Sequence, residues 1–334
     1  MAERVLTLRE LNRATLARQL LLERKRLSST AVIERLVGMQ AQWPSAPYVG
    51  IWTRTTSFNR ASLEKELVKR TIVKATVMRQ TLHLVTRTDY GLIRAAMSES
   101  NFPWEMDAAK KVAARVRSFA SAGPVTTPEA LAGLRLDARL WRAARSAAHL
   151  VHHHETAMWL SRPEGRFVAL DVPEALIPLE ARAEMIRRYL AAFGPATRQD
   201  IVAWSMMNMP GIKASLELLD LRRFRDESGR ELLDVPRAPL PDPDTPAPVR
   251  FLPKWDNVLL SFRDRTRVMS DAYRKRIIGM NGDVAQTFLV DGLVAGIWRV
   301  EKRRVVLEPF GPLSRAARRD LADEAERLES FLAE

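Results

Sequence analysis

The chain changes texture in a repeating order, and that order constrains its fold more than any single motif does. Segments with apolar residues three and four apart give way to short runs of β-branched residues, and helical spacing then resumes. Thr7 caps a helix expected through Arg9–Leu22, with Leu8, Leu11, Leu16, Leu20 and Leu21 recurring near helical spacing. Ser28, Ser29 and Thr30 open a second helix over Ala31–Gly38, and residues 59–62 start a third whose Leu63, Leu67 and Val68 are expected to face inward. From Thr71 to Val85 the residues are rich in β-branched types and close to alternating, and Thr88 or Asp89 then caps a helix through Met97. Three helices followed by a two-stranded element is the winged-helix order.

The cycle recurs twice. Ala108–Ala122, Thr127–Leu134 and Leu140–Ala148 read as helices, followed by a wing from Leu150–Leu160 and Arg166–Leu170 around a turn at 162–165. The third cycle has helices over Glu180–Phe193, Thr197–Met206 and Pro210–Leu219, then Arg222–Val235 with a turn at 227–229. The cycles share little residue identity, so the repetition lies in the pattern alone. At 334 residues, two or three compact units are expected. The divisions fall at 1–102, 103–175 and 176–334. The last unit continues through a proline-rich linker over 236–248 into strand-like runs at 249–252, 258–261, 287–290, 294–300 and 304–309. Asp291-Gly292 is a hairpin signal between two of these runs, and a charged helix over Ser314–Leu332 closes the chain as a scaffold cap. The expected class is mainly α with small β-sheets (α+β), built as three tandem winged-helix units.

Composition narrows the partners. Lys and Arg total 53 against 40 Asp and Glu, a formal charge of +13, and the pI is near 10.5. Such a balance favours nucleic acid, and next an anionic membrane surface. Basic clusters stand in several parts of the chain: Arg24 to Arg26; Lys65, Lys69, Arg70 and Lys74; Arg263, Arg265 and Arg267; Arg274 to Arg276. A protein that neutralises several phosphates gains sequence-independent, salt-sensitive affinity. The absence of cysteine removes disulfides, thiol catalysis and thiolate metal sites. No apolar run approaches the ~20 residues of a spanning helix, and the first residues lack an export signal's apolar stretch. The expectation is a cytoplasmic protein without membrane association. Phosphate loops, dinucleotide glycine fingerprints, HExxH and GxSxG are all missing. His149 and His153 at i, i+4 would permit a metal on a helix, with His152 and His154 beside them, but no acidic or thiolate ligand completes a set. They read as a polar helix-end cluster, with no metal.

Residues 38–42 are Gly-Met-Gln-Ala-Gln, followed by an aromatic, proline-broken turn. Gln40 and Gln42 place two neutral amides one residue apart at the end of an apolar helix. Each offers an acceptor oxygen and two donor hydrogens, able to grip a water or a base edge, or simply to satisfy local backbone. Trp43, Tyr48 and Trp52 are expected to pack that turn.

Residues 38–42, the run Val77–Val85 (VMRQTLHLV), the run Leu252–Ser261 (LPKWDNVLLS), Asp264–Val268 and Phe288–Trp298 together resemble the winged-helix DNA glycosylases of the AlkZ and YcaQ type. The match spans almost the whole chain in order. The resemblance implies three winged helices in a C-shaped body around double-stranded DNA carrying alkylated purines, with Gln-x-Gln as the catalytic motif. The other branch has Gln-x-Asp, so Gln40 and Gln42 make this chain AlkZ-like. It further implies excision of N7-alkylguanine, including bulky adducts and, in some members, interstrand crosslinks.

Neutral amides suit that chemistry. Glycosidic hydrolysis usually needs two carboxylates, one of them to protonate the leaving group. An N7-alkylguanine is already cationic and departs neutral without an acid. What remains is to position a water and stabilise an oxocarbenium-like centre. Gln42 is the expected water-orienting residue and Gln40 its helper. Arg79, Gln80 and His83 on the first wing, and Arg263, Arg265 and Arg267, are the candidate DNA contacts. The expectation is a monofunctional enzyme with neither metal nor organic cofactor, acting as a monomer. The competing expectation is a DNA-binding regulator without catalysis, for which dimerising heptads would be usual and are not evident.

Overall fold

The computed structural model describes residues 3–98, 106–159, 161, 164–172 and 176–334. The segment expected to be the end of the second wing and its turn at 162–165 lies partly outside these. The boundaries near 102 and 175 also lie outside them.

The first strand, β1 (Val5–Leu6), precedes α1 (Leu8–Arg18), whose Thr7 forms a capping box with Glu10. Next come α2 (Ser29–Arg35), β2 (Met39–Gln40), α3 (Ala46–Trp52) and α4 (Arg60–Val68), then the hairpin β3 (Ile72–Thr76) and β4 (Leu82–Thr86) and the helix α5 (Arg87–Ala96). Ser28 and Asn59 cap α2 and α4 through side-chain oxygens. In α4 Leu63 and Leu67 are buried, but Val68 is 51% exposed, so the expected inward stripe ends one residue early. Thr86, the last residue of β4, caps α5, in place of Thr88 or Asp89.

The middle of the chain holds α6 (Asp107–Phe119), β5 (Val125–Thr126), α7 (Thr127–Leu134), α8 (Ala138–Ala147), β6 (Leu150–His152) and β7 (Arg166–Ala169). It is followed by α9 (Pro178–Phe193), α10 (Arg198–Ser205), α11 (Met209–Leu216), β8 (Arg222–Asp226) and β9 (Glu231–Asp234). The C-terminal part consists of β10 (Arg250–Leu252), α12 (Arg274–Ile277), β11 (Thr287–Val290), β12 (Leu293–Glu301), β13 (Arg304–Pro309) and α13 (Arg315–Ala333). Residues 258–261, expected as a strand, instead begin in a 3-10 turn, because Asp256 caps Val258 and Asn257 O accepts from Ser261 Oγ.

Three small sheets share one construction: a hairpin plus one short strand from elsewhere in sequence. Their orders are β2-β4-β3, β5-β7-β6 and β1-β8-β9, and a fourth sheet runs β10-β11-β12-β13. In the third sheet β1 pairs parallel to β8, so the start of the chain is built into the sheet of residues 222–234. One core lies wholly within 109–169, centred on Trp141 and Phe167. The others draw residues from both ends of the chain, such as Met39, Tyr48 and Trp52 with Phe251, Trp298 and Phe331.

Two fully buried ion pairs hold these parts together. Arg18 grips Asp234 with both terminal nitrogens, at 2.6 and 3.0 Å, and Arg54 grips Asp256 at 2.8 Å on each side. Neither pair was foreseen. Lys74, expected in a basic surface cluster, is instead buried with its Nζ donating to Thr156 O at 3.2 Å. Burial pushes its pKa down to about 8.

Candidate active site on an edge strand

The helix before the glutamine pair ends early. Val37 and Gly38 take φ of 54° and 90° and turn the chain out of α2. A side chain at Gly38 would also meet Val85 Cγ1 at 2.9 Å and Leu84 O at 3.2 Å, so only glycine lets this backbone lie against β4. Gln40 therefore ends a strand, and the pair does not sit at a helix end. β2 adds antiparallel to β4 with Gln40 opposite His83, and Ala41 N donates to Leu82 O at 2.7 Å. Gln42 stands two residues on, in the bend that follows the strand.

The two amides differ in setting. Gln40 is 6% exposed, and its Oε1 accepts from an Arg79 terminal nitrogen at 3.0 Å. Gln42 is exposed, with its Oε1 3.4 Å from Leu82 N. Asn257 holds the strand from the other end of the sequence. Its Nδ2 donates to Gly38 O at 2.6 Å and its Oδ1 accepts from Gln40 N at 3.3 Å. Beside it, the Arg54–Asp256 pair anchors the same segment to α3 through Gly50 O. The sequence run 252–261 carried this signal, but nothing in it said which backbone it would grip.

Arg79 lies in the turn between β3 and β4 and reaches inward. Besides Gln40 it donates to Trp204 O at 2.8 Å, at the end of α10, and lies 3.2 Å from His83 Nε2. None of these acceptors is a carboxylate. Burial, and then the charge of Arg265, pull its pKa down to about 10, which leaves it a cation at neutral pH. His83 is buried, and burial and then Arg79 lower its pKa to about 3, so the ring is neutral. Its Nδ1 lies 3.1 Å from Thr81 O, a pure acceptor, which assigns the proton to Nδ1 and leaves Nε2 to accept from Arg79.

The structure separates the remaining candidates. Gln80 and Arg263 are exposed. Arg265 is half-buried, with a buried Nε lacking a hydrogen-bond partner and no ion pair among the described residues. Two candidates turn inward. His83 is 1% exposed, covered when β2 joins the hairpin, and Arg267 is 5% exposed, donating to Pro195 O at 2.9 Å with its guanidinium over Phe262. As folded, neither has surface to offer a phosphate.

Of the aromatic residues, Tyr48 and Trp52 are core as expected, while Trp43 is 52% exposed, with Lys254 Nζ 5.6 Å from its ring centroid. A cavity that Gln40 lines together with Asp256 and Asn257 holds about 10 Å³, one water's worth. A far larger cavity of about 970 Å³, lined by Arg60, Glu64, Trp159, Arg166 and Glu334, does not include either glutamine.

The histidine group differs from its expected form. Residues 150–152 are a strand, so His149 and His153 do not share a helix face. Glu155, exposed, does bring a carboxylate within 4.8 Å of donor atoms of His153 and His154, a potential three-donor cluster. That carboxylate is also 3.3 Å from the Arg166 guanidinium.

Repeated helix-and-hairpin elements and a net charge of +13 give the class of protein suited to a nucleic-acid partner. The model of the AlkZ-like DNA glycosylases matches residues 33–331, and the chain belongs to that family, enzymes that hydrolyse N-glycosyl bonds. A curated relative, the interstrand DNA cross-link repair glycosylase of Streptomyces sahachiroi, is 24% identical over 340 residues, covering 88% of each chain. The solved structure of the S. sahachiroi DNA glycosylase AlkZ aligns with a TM-score of 0.81 at 21% identity, covering 98% of this chain and 97% of that one. That likeness shows the fold. No helix among the described residues is long and apolar enough to cross a membrane.

Proposed function

We propose that this chain is a monofunctional glycosylase for cationic N7-alkylguanine in double-stranded DNA, leaving an abasic site, and that its helix-and-hairpin elements act as three tandem winged-helix units. The observation that carries the reading is the setting of Gln40 and Gln42. Their side-chain oxygens accept from Arg79 and from the Leu82 N–H, and neither partner is a carboxylate. Asp256 lines the same small cavity as Gln40, but both of its oxygens are held by Arg54, so neither amide has a ready acid or base as its partner. Such a site suits a substrate whose leaving group is already charged.

Gln42 orients the water. The water oxygen bonds to the sugar C1′ as the C1′–N9 bond breaks. The bonding pair neutralises the departing base, and the water's surplus proton passes to solvent. The exposure of Gln42 favours attack at an open surface, without enclosing a flipped base. An open surface accommodates bulky adducts, and the relative's cross-link repair extends the proposal to cross-linked guanines. Arg265 and Arg263, together with Gln80, are the proposed backbone contacts. The chain is proposed to act as a monomer without a cofactor.

The test is release of 7-methylguanine from methylated duplex DNA, read as alkali-labile breaks, beside the Gln40→Ala/Gln42→Ala double variant. Release by the wild type and loss in the variant are expected. Comparable release of unmodified adenine or of uracil would contradict a mechanism without an acid.

A further inference from the structure

The turn that carries Arg79 is built against ordinary preference. Arg79 and Gln80 both have positive φ, 53° and 56°, and Thr81 N donates to Met78 O at 3.1 Å, the pattern of a type I′ hairpin turn. Asn-Gly is the usual pair there, because glycine has no Cβ and asparagine tolerates the left-handed region better than longer side chains do. Strain of this kind persists where the surroundings over-determine it. Here the side chain shows what holds it. The Arg79 guanidinium is directed into three acceptors, Gln40 Oε1, His83 Nε2 and Trp204 O.

We propose that Arg79 is a positioning residue for the reaction, acting through Gln40 by fixing which way that amide faces. A guanidinium has donors only. The atom of Gln40 that meets it must be the oxygen, so the NH₂ group is turned away from Arg79. A cation on the oxygen also makes that NH₂ a better donor and leaves the oxygen a poorer acceptor. Gln40 is thereby assigned as a donor and Gln42, whose oxygen carries only one long hydrogen bond, as the acceptor. A water that takes a hydrogen bond from Gln40 and gives one to Gln42 keeps one lone pair for the sugar carbon. Neutral His83, tied by Nδ1–H to Thr81 O, keeps Arg79 aimed. This rests on the glycosylase reading above and assigns the two amides opposite roles within it.

The experiment uses Arg79→Met and Arg79→Lys, alone and with Gln40→Ala, in single-turnover release of 7-methylguanine with DNA affinity measured in parallel. Arg79→Met is expected to lower the rate about 10- to 100-fold, the scale of losing reactant positioning, with affinity changed less than about threefold. Arg79→Lys recovers part of the loss. In the Gln40→Ala background, Arg79→Met changes the rate by less than about twofold, as two residues acting as one unit require. Multiplicative losses would overturn the proposal. So would an unchanged saturating rate with weaker binding and a salt slope reduced by about one, which mark a direct phosphate contact.

A second readout does not depend on activity. The chain has six glutamines, so selective ¹⁵N labelling resolves their side-chain amides, and Gln40 is identified by its loss in Gln40→Ala. Its amide signals are expected to shift in Arg79→Met, and unmoved signals refute the proposal. An inactive wild type would instead overturn the glycosylase reading, leaving the amide shift to judge Arg79.

Discussion

Gln42 stands exposed in the bend after β2 while Gln40 is covered and held, so equal residue types have unequal environments. Each Ala substitution is expected to lower kcat about 10²- to 10³-fold, the scale of one preorganised polar group, with DNA affinity little changed. Unchanged single-turnover rates in both variants would refute the assignment. Gln42→Asp keeps an acceptor oxygen for water and is expected to stay within about tenfold of wild type; a loss equal to Gln42→Ala would show that the acceptor is not what matters. In the turn, Gln80 is exposed with φ of 56°, and Gln80→Gly is expected to stabilise the fold by up to about 1 kcal/mol in urea unfolding. The spacing of the glutamines was legible in sequence. The donors on their oxygens were not, because Arg79 and Leu82 lie about forty residues away and meet them only through strand pairing.

At the level of elements, helices were more legible than their neighbours. Thr7, Ser28 and Asn59 announced α1, α2 and α4 because capping is a local competition for free backbone N–H groups. The short strands β1, β2 and β5 were invisible. Two residues carry no period, and each exists only because a hairpin offers it an edge. Asn257 is what holds β2 from outside its sheet, and Asn257→Ala is expected to lower the single-turnover rate about tenfold by loosening Gln40's backbone. Asp256→Ala strands the buried Arg54 and should cost about 3–5 kcal/mol, whereas Arg54→Met with Asp256→Leu should recover most of it. A small effect of Asp256→Ala in urea unfolding would show that the pair does not tie these segments.

Over the whole molecule, one buried and two half-buried histidines weaken the fold in acid. Burial, first of all, lowers His83 to about 3 and His149 to about 4, and places His152 well below its ordinary 6.5. The folded chain thus refuses protons that the unfolded chain accepts below about pH 6.5. Stability is full above that pH and falls as pH drops toward 4, by up to about 1.4 kcal/mol per pH unit for each histidine. Urea unfolding at pH 7 and pH 5 checks this, and equal stabilities would contradict it.

By itself the sequence determined the basic character, the helix-and-hairpin rhythm, the hairpin at Asp291-Gly292 and the amide pair, since charge, period and turn chemistry are local properties. Only the tertiary structure decided that Gln40 ends a strand, that Arg79 grips its amide, that His83 and Arg267 turn inward, and that residues 5–6 complete a sheet with residues 225–226. Those facts depend on which distant groups arrive opposite each other when strands pair and charges are buried, and no local pattern encodes that meeting.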